Sequence, residues 1–295
     1  MIPFPEGIRP DIFTISLGGF TFTLYWYAMA YILGIVACWR LAASALRKNE
    51  LWQKNTPPLN PTKLEDLMSY CVLGIIIGGR LGFVFFYNPE YYLKNFLEVF
   101  YVWQGGMSFH GGLIGVATAS FLFFRKNSVP LRSGADLLAL GTPVGLGLGR
   151  VANFVNDELW GRVTDVPWGV IVTSSHSKSV CEEIIGPCIR HPSQIYEALL
   201  EGLILFILMM YLAFRKSAFM RPGFLAGIFF IGYGLSRCFV ELFRQPDQQF
   251  QSVKNPMGFF IQLGETGITI GQALSLPMIV IGIILFVTSK RSDPA

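Results

Sequence analysis

GADLLALGTPVGLGLGRVANFVNDELWGRVT, residues 134–164, opens as an apolar, glycine-rich run and turns polar without a break. Up to Gly149 it reads as a membrane helix. Arg150, Asn153, Asn156 and Glu158 then arrive where such a helix is expected to stay apolar. An arginine at membrane depth costs at least about a few kcal/mol unless it faces a polar cavity, a partner or a ligand. The stretch therefore predicts a helical membrane protein with a buried site suited to an anionic group.

The rest of the chain agrees with that class. Hydrophobic residues make up 52%, charged residues only 14%, and the mean hydropathy is +0.49, outside ordinary globular usage. Seven apolar runs, near 19–40, 67–86, 107–124, 135–153, 194–214, 222–240 and 268–288, approach the roughly 20 residues a bilayer-crossing helix needs. With the N-terminus outside, the inner loops carry 12 basic residues in 50 positions, the outer segments 7 in 105. That bias predicts an external, periplasmic-type N-terminus and a cytoplasmic C-terminus. The opening MIPFPEGIRPDIF lacks the charged n-region of a cleaved signal peptide, so the first span is expected to be retained.

The expected fold is an all-α polytopic membrane protein of about seven transmembrane helices, read as a single transmembrane domain over 1–295. The external connection 154–193 is about 40 residues of alternating apolar and turn character, so it predicts a small ordered cap with some strand content. Gly74, Gly78 and Gly82, and likewise Gly141, Gly145 and Gly149, recur every fourth residue. Such stripes predict close helix packing in lipid.

Four polar constellations remain, all on the outer half. QGGMSFHGGLIG (104–115) sets His110 among glycines at the start of span three, where it is either structural or placed near a ligand. Arg150 and Asn153, three apart, share a helical face; the plain alternative is an Arg150–Glu158 pair that only caps a helix. In RHPSQIYEALLEG (190–202), Gln194, Glu197 and Glu201 fall within a ~60° arc of a helix. In YGLSRCFVELFRQPD (233–247), Tyr233, Arg237, Glu241 and Arg244 fall within a ~80° arc. Arginines and glutamates without solvent suggest mutual pairing as well as ligand contact, although Arg244 can equally snorkel to the interface. The three histidines and five cysteines show no metal-ligand spacing, so no metal is expected. Cys181 and Cys188 both lie in the cap, where an oxidising exterior allows a structural disulfide.

GRVANFVNDELWGR resembles the diagnostic motif of the bacterial prolipoprotein diacylglyceryl transferases, matching at Gly149, Arg150, Asn153, Phe154, Asn156, Glu158 and Gly161. Ala152 departs from the family's common glycine there. WYAMAYILG (26–34), FHGGLIG (109–115), RHPSQIYEALLEG and YGLSRCFVELFRQPD are also similar to family blocks, so the resemblance spans nearly the whole chain. It implies a seven-span enzyme of the bacterial cytoplasmic (inner) membrane, with its active site toward the periplasm. Such an enzyme transfers the diacylglyceryl group of phosphatidylglycerol to the lipobox cysteine in the signal peptide of a prolipoprotein. A thioether forms and glycerol phosphate leaves. Its partners are that lipid, the precursor and the bilayer; no cofactor or nucleic acid is implied.

Under the resemblance, the catalytic candidates are His110, Arg150, Glu158, Tyr233 and Arg237. Tyr27, Arg150, Asn153, Asn156, Gly161 and Arg237 are the candidates for binding phosphatidylglycerol. Glu197, Glu201, Glu241 and Arg244 would support them, Glu241 by orienting Arg237. Guanidinium groups suit a phosphodiester leaving group because they bind its oxygens in a fixed fork. An unperturbed thiol, with a pKa of about 8.5, needs a base; His110 is the natural candidate, with Glu158 or Tyr233 as others. Two readings of other classes stay open. One is a transporter or channel with buried Arg–Glu pairs, against which the one-sided polar sets and the lack of an inverted repeat both count. The other is a different phospholipid-handling transferase.

Overall fold

Apolar runs become helices wherever nothing interrupts the 3.6-residue period. The computed structural model describes residues 1–5, 7–18, 20–172, 187–246, 255, 258–264 and 266–290. A two-residue strand β1 (Ile2–Pro3) leads to a hairpin of β2 (Asp11–Leu17) and β3 (Phe20–Tyr25). Helices α1 (Trp26–Leu46), α2 (Leu64–Phe86), the short α3 (Pro89–Lys94), α4 (Phe109–Lys126) and α5 (Leu131–Val155) follow. After the cap strands β4 (Val170–Ile171) and β5 (Ile189–Arg190), α6 (Ser193–Glu197) runs through a π-helical stretch, Ala198–Ile204, into α7 (Leu205–Arg215). Helix α8 (Phe224–Val240), the hairpin β6 (Phe259–Leu263) and β7 (Thr266–Thr269), and α9 (Ile270–Thr288) complete the order.

The protein is mostly helical, and among the described residues five helices are long and apolar enough to cross a membrane: Trp26–Leu46, Pro61–Phe86, Leu131–Val155, Ser193–Arg215 and Ile270–Thr288. Helix α8, at 17 residues, is apolar but shorter. Large apolar side chains such as Leu73, Ile77, Phe85 and Ile207 face outward, as expected of a surface solvated by lipid. One boundary is corrected. The first run, expected to be helical from 19, starts its helix only at Trp26, because FTFTLY alternates apolar residues with threonine and pairs as β3 with β2. A hydropathy sum cannot distinguish that period from a helical one.

Helix α5 is the centre of the bundle, packing on α1, on the π-helical stretch and on α8, while α2 packs chiefly on α4 and α8 on α9. The α2 glycines act as predicted: a Cβ at Gly74 would lie 2.6 Å from the Gly115 carbonyl oxygen of α4. On α5, Gly141 sits as tightly against Cys38, but a Cβ at Gly149 would meet nothing within 4 Å. Gly149 borders open space beside Arg150, so packing does not account for it.

The apolar core fills the end of the bundle that carries the 47–63 loop. Leu46, Trp52, Leu67, Phe123, Leu140, Met209, Phe219 and Leu225 are buried together there. The Trp52 ring centroid lies 4.2 Å from that of Phe219, and its Nε1 donates to the Ala45 carbonyl at 3.0 Å. Asp136 of α5, fully buried, accepts from the backbone N–H groups of Gly223 and Ala226 at 2.7 and 2.8 Å. It therefore caps α8 from a neighbouring helix, satisfying donors that an α-helix leaves open.

The cap joins distant segments. β1 pairs in parallel with β4 (Ile2 to Val170), and β4 pairs antiparallel with β5. Phe4, Trp160, Val170, Val172 and Cys188 form its small core, with Phe154 against them. Strand content there matches the sequence expectation; recruitment of the N-terminus was not foreseen. Cys188 is disulfide-bonded, while Cys181, its expected partner, lies outside the described residues.

Candidate functional site

Helix α5 and the helix beginning at Ser193 meet backbone to backbone at Gly147 and Gly202, where a Cβ on Gly202 would lie 2.6 Å from Gly147 Cα. That approach brings the next turn of α5 within reach of two carboxylates. Arg150 Nε lies 3.2 Å from Glu197 Oε2 and 3.9 Å from Glu201 Oε2. Glu197 is the last residue of α6 and Glu201 lies within the π-helical stretch, a wide turn that recurs at functional sites. Both glutamates are fully buried.

Glu197 is the hub. Its Oε1 accepts from Arg237 Nη1 and, at 3.2 Å, from Arg244 Nη1, while its Oε2 faces Arg150. Arg237, one turn from the end of α8, also pairs with Glu241 Oε2 at 3.0 Å. Three guanidinium groups thus pair with three carboxylates. Taking such charges out of water is costly, and mutual pairing is what makes it tolerable. Tyr233 lies on α8 one turn before Arg237, within electrostatic range of Glu201, Arg150, Arg237 and Glu197.

A second set adjoins it across α5. Asn153 Nδ2 donates to Tyr27 Oη at 3.0 Å and to Glu158 Oε1 at 2.7 Å. Glu158 is presented by a tight turn whose flanking residues, Asp157 and Leu159, both have φ near +60°. Such values are costly for residues with a Cβ, and they cluster at sites where geometry is over-determined. The Asp157 carboxylate accepts from Trp160 Nε1 at 2.7 Å, and Gln194 Nε2 donates to the Glu158 carbonyl, fixing the turn from both sides. The helix-capping pair Arg150–Glu158 is therefore replaced: Arg150 goes to Glu197 and Glu201, and Glu158 to Asn153.

The remaining expected residues stand apart. His110 is exposed at the first turn of α4, its ring edge-on to Phe109 at 5.7 Å, and none of the described contacts of the arginine set reaches it. The Asn156 Oδ1 atom is buried and accepts no hydrogen bond among the described residues. A Cβ at Gly161 would lie 2.6 Å from the Phe243 carbonyl oxygen, so this glycine permits the close seating of the cap on the end of α8.

Sequence reasoning missed how the cap grips the site. Arg162 Nε donates to the Arg244 carbonyl at 3.0 Å, and buried Arg190 donates to the Gly161 carbonyl at 3.2 Å. His191 Nδ1 lies 3.0 Å from Tyr196 Oη, which accepts from Trp168 Nε1 at 2.8 Å. This chain ends one residue before Glu197. Burial lowers the pKa of His191, the Arg162 charge adds to that, and Asp165 opposes it. The only available signal was the density of polar residues in RHPSQ. A cavity of about 660 Å³ opens nearby, lined by Arg9, Asp11, Phe13, Trp26 and Val155 among others. Trp26 and Val155 are chain neighbours of the Tyr27–Asn153 pair. Among the described residues, no group of three or more His, Cys, Asp or Glu side chains is arranged to hold a metal ion.

The arginine set, the Asn153–Tyr27 contact and the bundle around them can be compared with known proteins. The family model described as prolipoprotein diacylglyceryl transferase matches residues 12–288. The chain belongs to that family. A phosphatidylglycerol–prolipoprotein diacylglyceryl transferase of Ruegeria pomeroyi is 52% identical over 295 residues, covering 100% of this chain and 99% of the relative. One of the same description from Roseobacter denitrificans is 51% identical over 99% of this chain and 98% of its own length. Another from Brucella anthropi is 43% identical, over 96% and 92%. Membership gives the buried ion pairs a chemical context, because the transferases are named for a phospholipid whose phosphate is anionic.

Proposed function

We propose that this chain transfers the diacylglyceryl group of phosphatidylglycerol to the lipobox cysteine thiol of a prolipoprotein. The reaction takes place in the bacterial cytoplasmic membrane, through a seven-span bundle with its N-terminus and cap outside. The observation that carries the reading is the gathering of Arg150, Arg237 and Arg244 around Glu197, beside the Asn153–Tyr27 contact, in a chain similar over its whole length to enzymes named for this activity.

In this reading Arg150 and Arg237 hold the lipid phosphate, and Tyr27, Asn153 and Asn156 orient the head group. The thiolate attacks the glyceryl carbon next to the phosphate; the S–C bond forms, the C–O bond breaks and its electron pair leaves with glycerol phosphate. Charge on the departing oxygens grows as the bond breaks. A unit charge about 4 Å away at an effective dielectric near 20 is worth on the order of 4 kcal/mol. Only the increment over the ground state accelerates the reaction. The thiol proton goes to His110, exposed at the first turn of α4 and outside the arginine set; Glu158, held 2.7 Å from Asn153 within the polar set, is the alternative acceptor. Glu241 orients Arg237, and Tyr233 lies within electrostatic range of Arg237 and Arg150.

The test is to incubate the purified chain with labelled phosphatidylglycerol and a lipobox peptide. Label on the peptide through a thioether is the expected result. Solute flux through reconstituted vesicles with no lipidated peptide would instead favour the transporter reading. Orientation is tested separately: a reporter after Ala295 is expected inside the cell and one inserted near Ser175 outside, and swapped locations sink the topology.

A further inference from the structure

Arg150 faces two carboxylates, and the two are served differently. Glu197 Oε1 accepts from Arg237 and Arg244, and its Oε2, without a hydrogen bond, pairs ionically with Arg150 at 3.2 Å. Glu201 is fully buried, its nearest guanidinium nitrogen is Arg150 Nε at 3.9 Å, and neither of its oxygens accepts a hydrogen bond among the described residues. The groups facing it are Arg150 from α5, Glu197 from its own helix, Tyr233 and Arg237 from α8, and Arg244 beyond the end of α8. Glu241 completes the set through Arg237.

Among the described residues Arg150 is the one guanidinium within 4.0 Å of Glu201, so an anion that takes Arg150 leaves the Glu201 charge without a close counter-ion. A phosphodiester adds one negative charge. An unbalanced charge in a buried site is far costlier than a neutral carboxyl, so such groups change protonation instead of carrying it. The carboxylate with the weakest pairing is the one that yields. We propose that Glu201 takes up a proton from solvent when the lipid phosphate binds, which frees Arg150 to turn its fork from the carboxylates to the phosphate. Glu201 is then a positioning residue whose charge state gates Arg150. This rests on the transferase reading given above.

The experiment measures protons as well as affinity. Short-chain phosphatidylglycerol is titrated into the purified full chain in neutral detergent by calorimetry, in buffers of different ionisation enthalpy and over a series of pH values. The wild type is expected to take up close to one proton per lipid. Its affinity should fall by up to about tenfold per pH unit once Glu201 is ionised in the free protein, because binding is linked to a proton. Glu201→Gln removes the charge but keeps the shape; it should bind with no uptake and a flat pH profile, and Glu201→Asp should restore the uptake. Lipid binding by the wild type with no proton uptake overturns the proposal and needs no variant to read. Undiminished uptake in Glu201→Gln overturns it too. Absence of any saturable lipid binding by the wild type is a different result, which removes the transferase reading and this proposal with it.

Discussion

At the end of the bundle nearest the 47–63 loop, Leu46, Trp52, Phe123, Met209 and Phe219 interlock. At the other end, Arg150, Arg237 and Arg244 occupy the space between helices with Glu197, Glu201 and Glu241. The first arrangement is non-directional: side chains taken out of water around the 47–63 loop gain roughly 1.5–3 kcal/mol each, and those within the bilayer gain by close packing instead. The second gains little net stability, because desolvation consumes most of the attraction between buried charges. The contrast places the packing that holds the bundle together at one end and, in the reading proposed above, the binding of an anion at the other. Mutations at the two ends should therefore separate folding from turnover.

The largest effect is expected at His110. General-base catalysis typically contributes 10²–10⁴-fold, so His110→Gln, which keeps a hydrogen bond but cannot take a proton, should slow the chemical step by about that factor. Lipid binding should stay near the wild-type level. A Gln variant of nearly full activity would leave His110 a positioning role and move the base to Glu158 or Tyr233. Arg150→Lys comes next. It keeps a charge beside Glu197 but loses the fork, and removal of one transition-state donor typically costs roughly 10²–10³-fold in kcat. The melting midpoint of that variant should change little; a large drop would mean that the ionic end also holds the fold.

Trp52→Ala should show the opposite pattern. Trp52 is 2% exposed, packed on Phe219 and bonded to the Ala45 carbonyl. Truncating a buried tryptophan typically costs 3–5 kcal/mol, about what a large cavity costs. Denaturation should reveal that loss, while specific activity per folded molecule stays within about twofold, since a few kcal/mol of stability alters how many molecules are folded and not the site. Activity lost beyond the folded fraction would break the separation between the two ends.

The sequence made the helices legible because each needs only a local pattern, and helices form at all seven apolar runs. It also marked Arg150, Asn153, Glu197, Glu201, Arg237 and Glu241 as a polar set, since polar residues in apolar runs stand out. It could not tell which carboxylate meets which arginine. Helical spacing shows that Glu197 and Glu201 share a face; only the Gly147–Gly202 crossing shows that the face meets Arg150. Two misreadings concern strands, and their causes differ. β3 was absorbed into the first span because a hydropathy sum does not register its two-residue alternation, although its partner β2 is only a turn away. β1 joined the cap through Val170, about 170 residues away in the chain, which no local pattern reveals.

The smallest effect concerns the seam between the two ends and the cap. His191 reaches Tyr196 Oη, which also holds Trp168, and Tyr196 directly precedes the hub Glu197. Desolvation first, and then the Arg162 charge, lower the pKa of His191 below its ordinary 6.5, with Asp165 opposing. The folded state thus prefers the neutral ring. The stability this contributes is present above pH 6.5 and is lost as the pH falls through the lower, folded value, because the unfolded chain binds the proton more readily. Amide protection factors, corrected for the intrinsic pH dependence of exchange, should therefore fall modestly in Trp160–Val172 as the pH drops below 6.5, and the change should vanish in His191→Gln, which cannot titrate there. The ring is half-buried and its contacts lie at the cap, so the effect should not reach the Trp52 end. Protection factors that fall equally around Trp52 and Phe219 would mean that the acid effect is global, and the two ends would no longer count as independent.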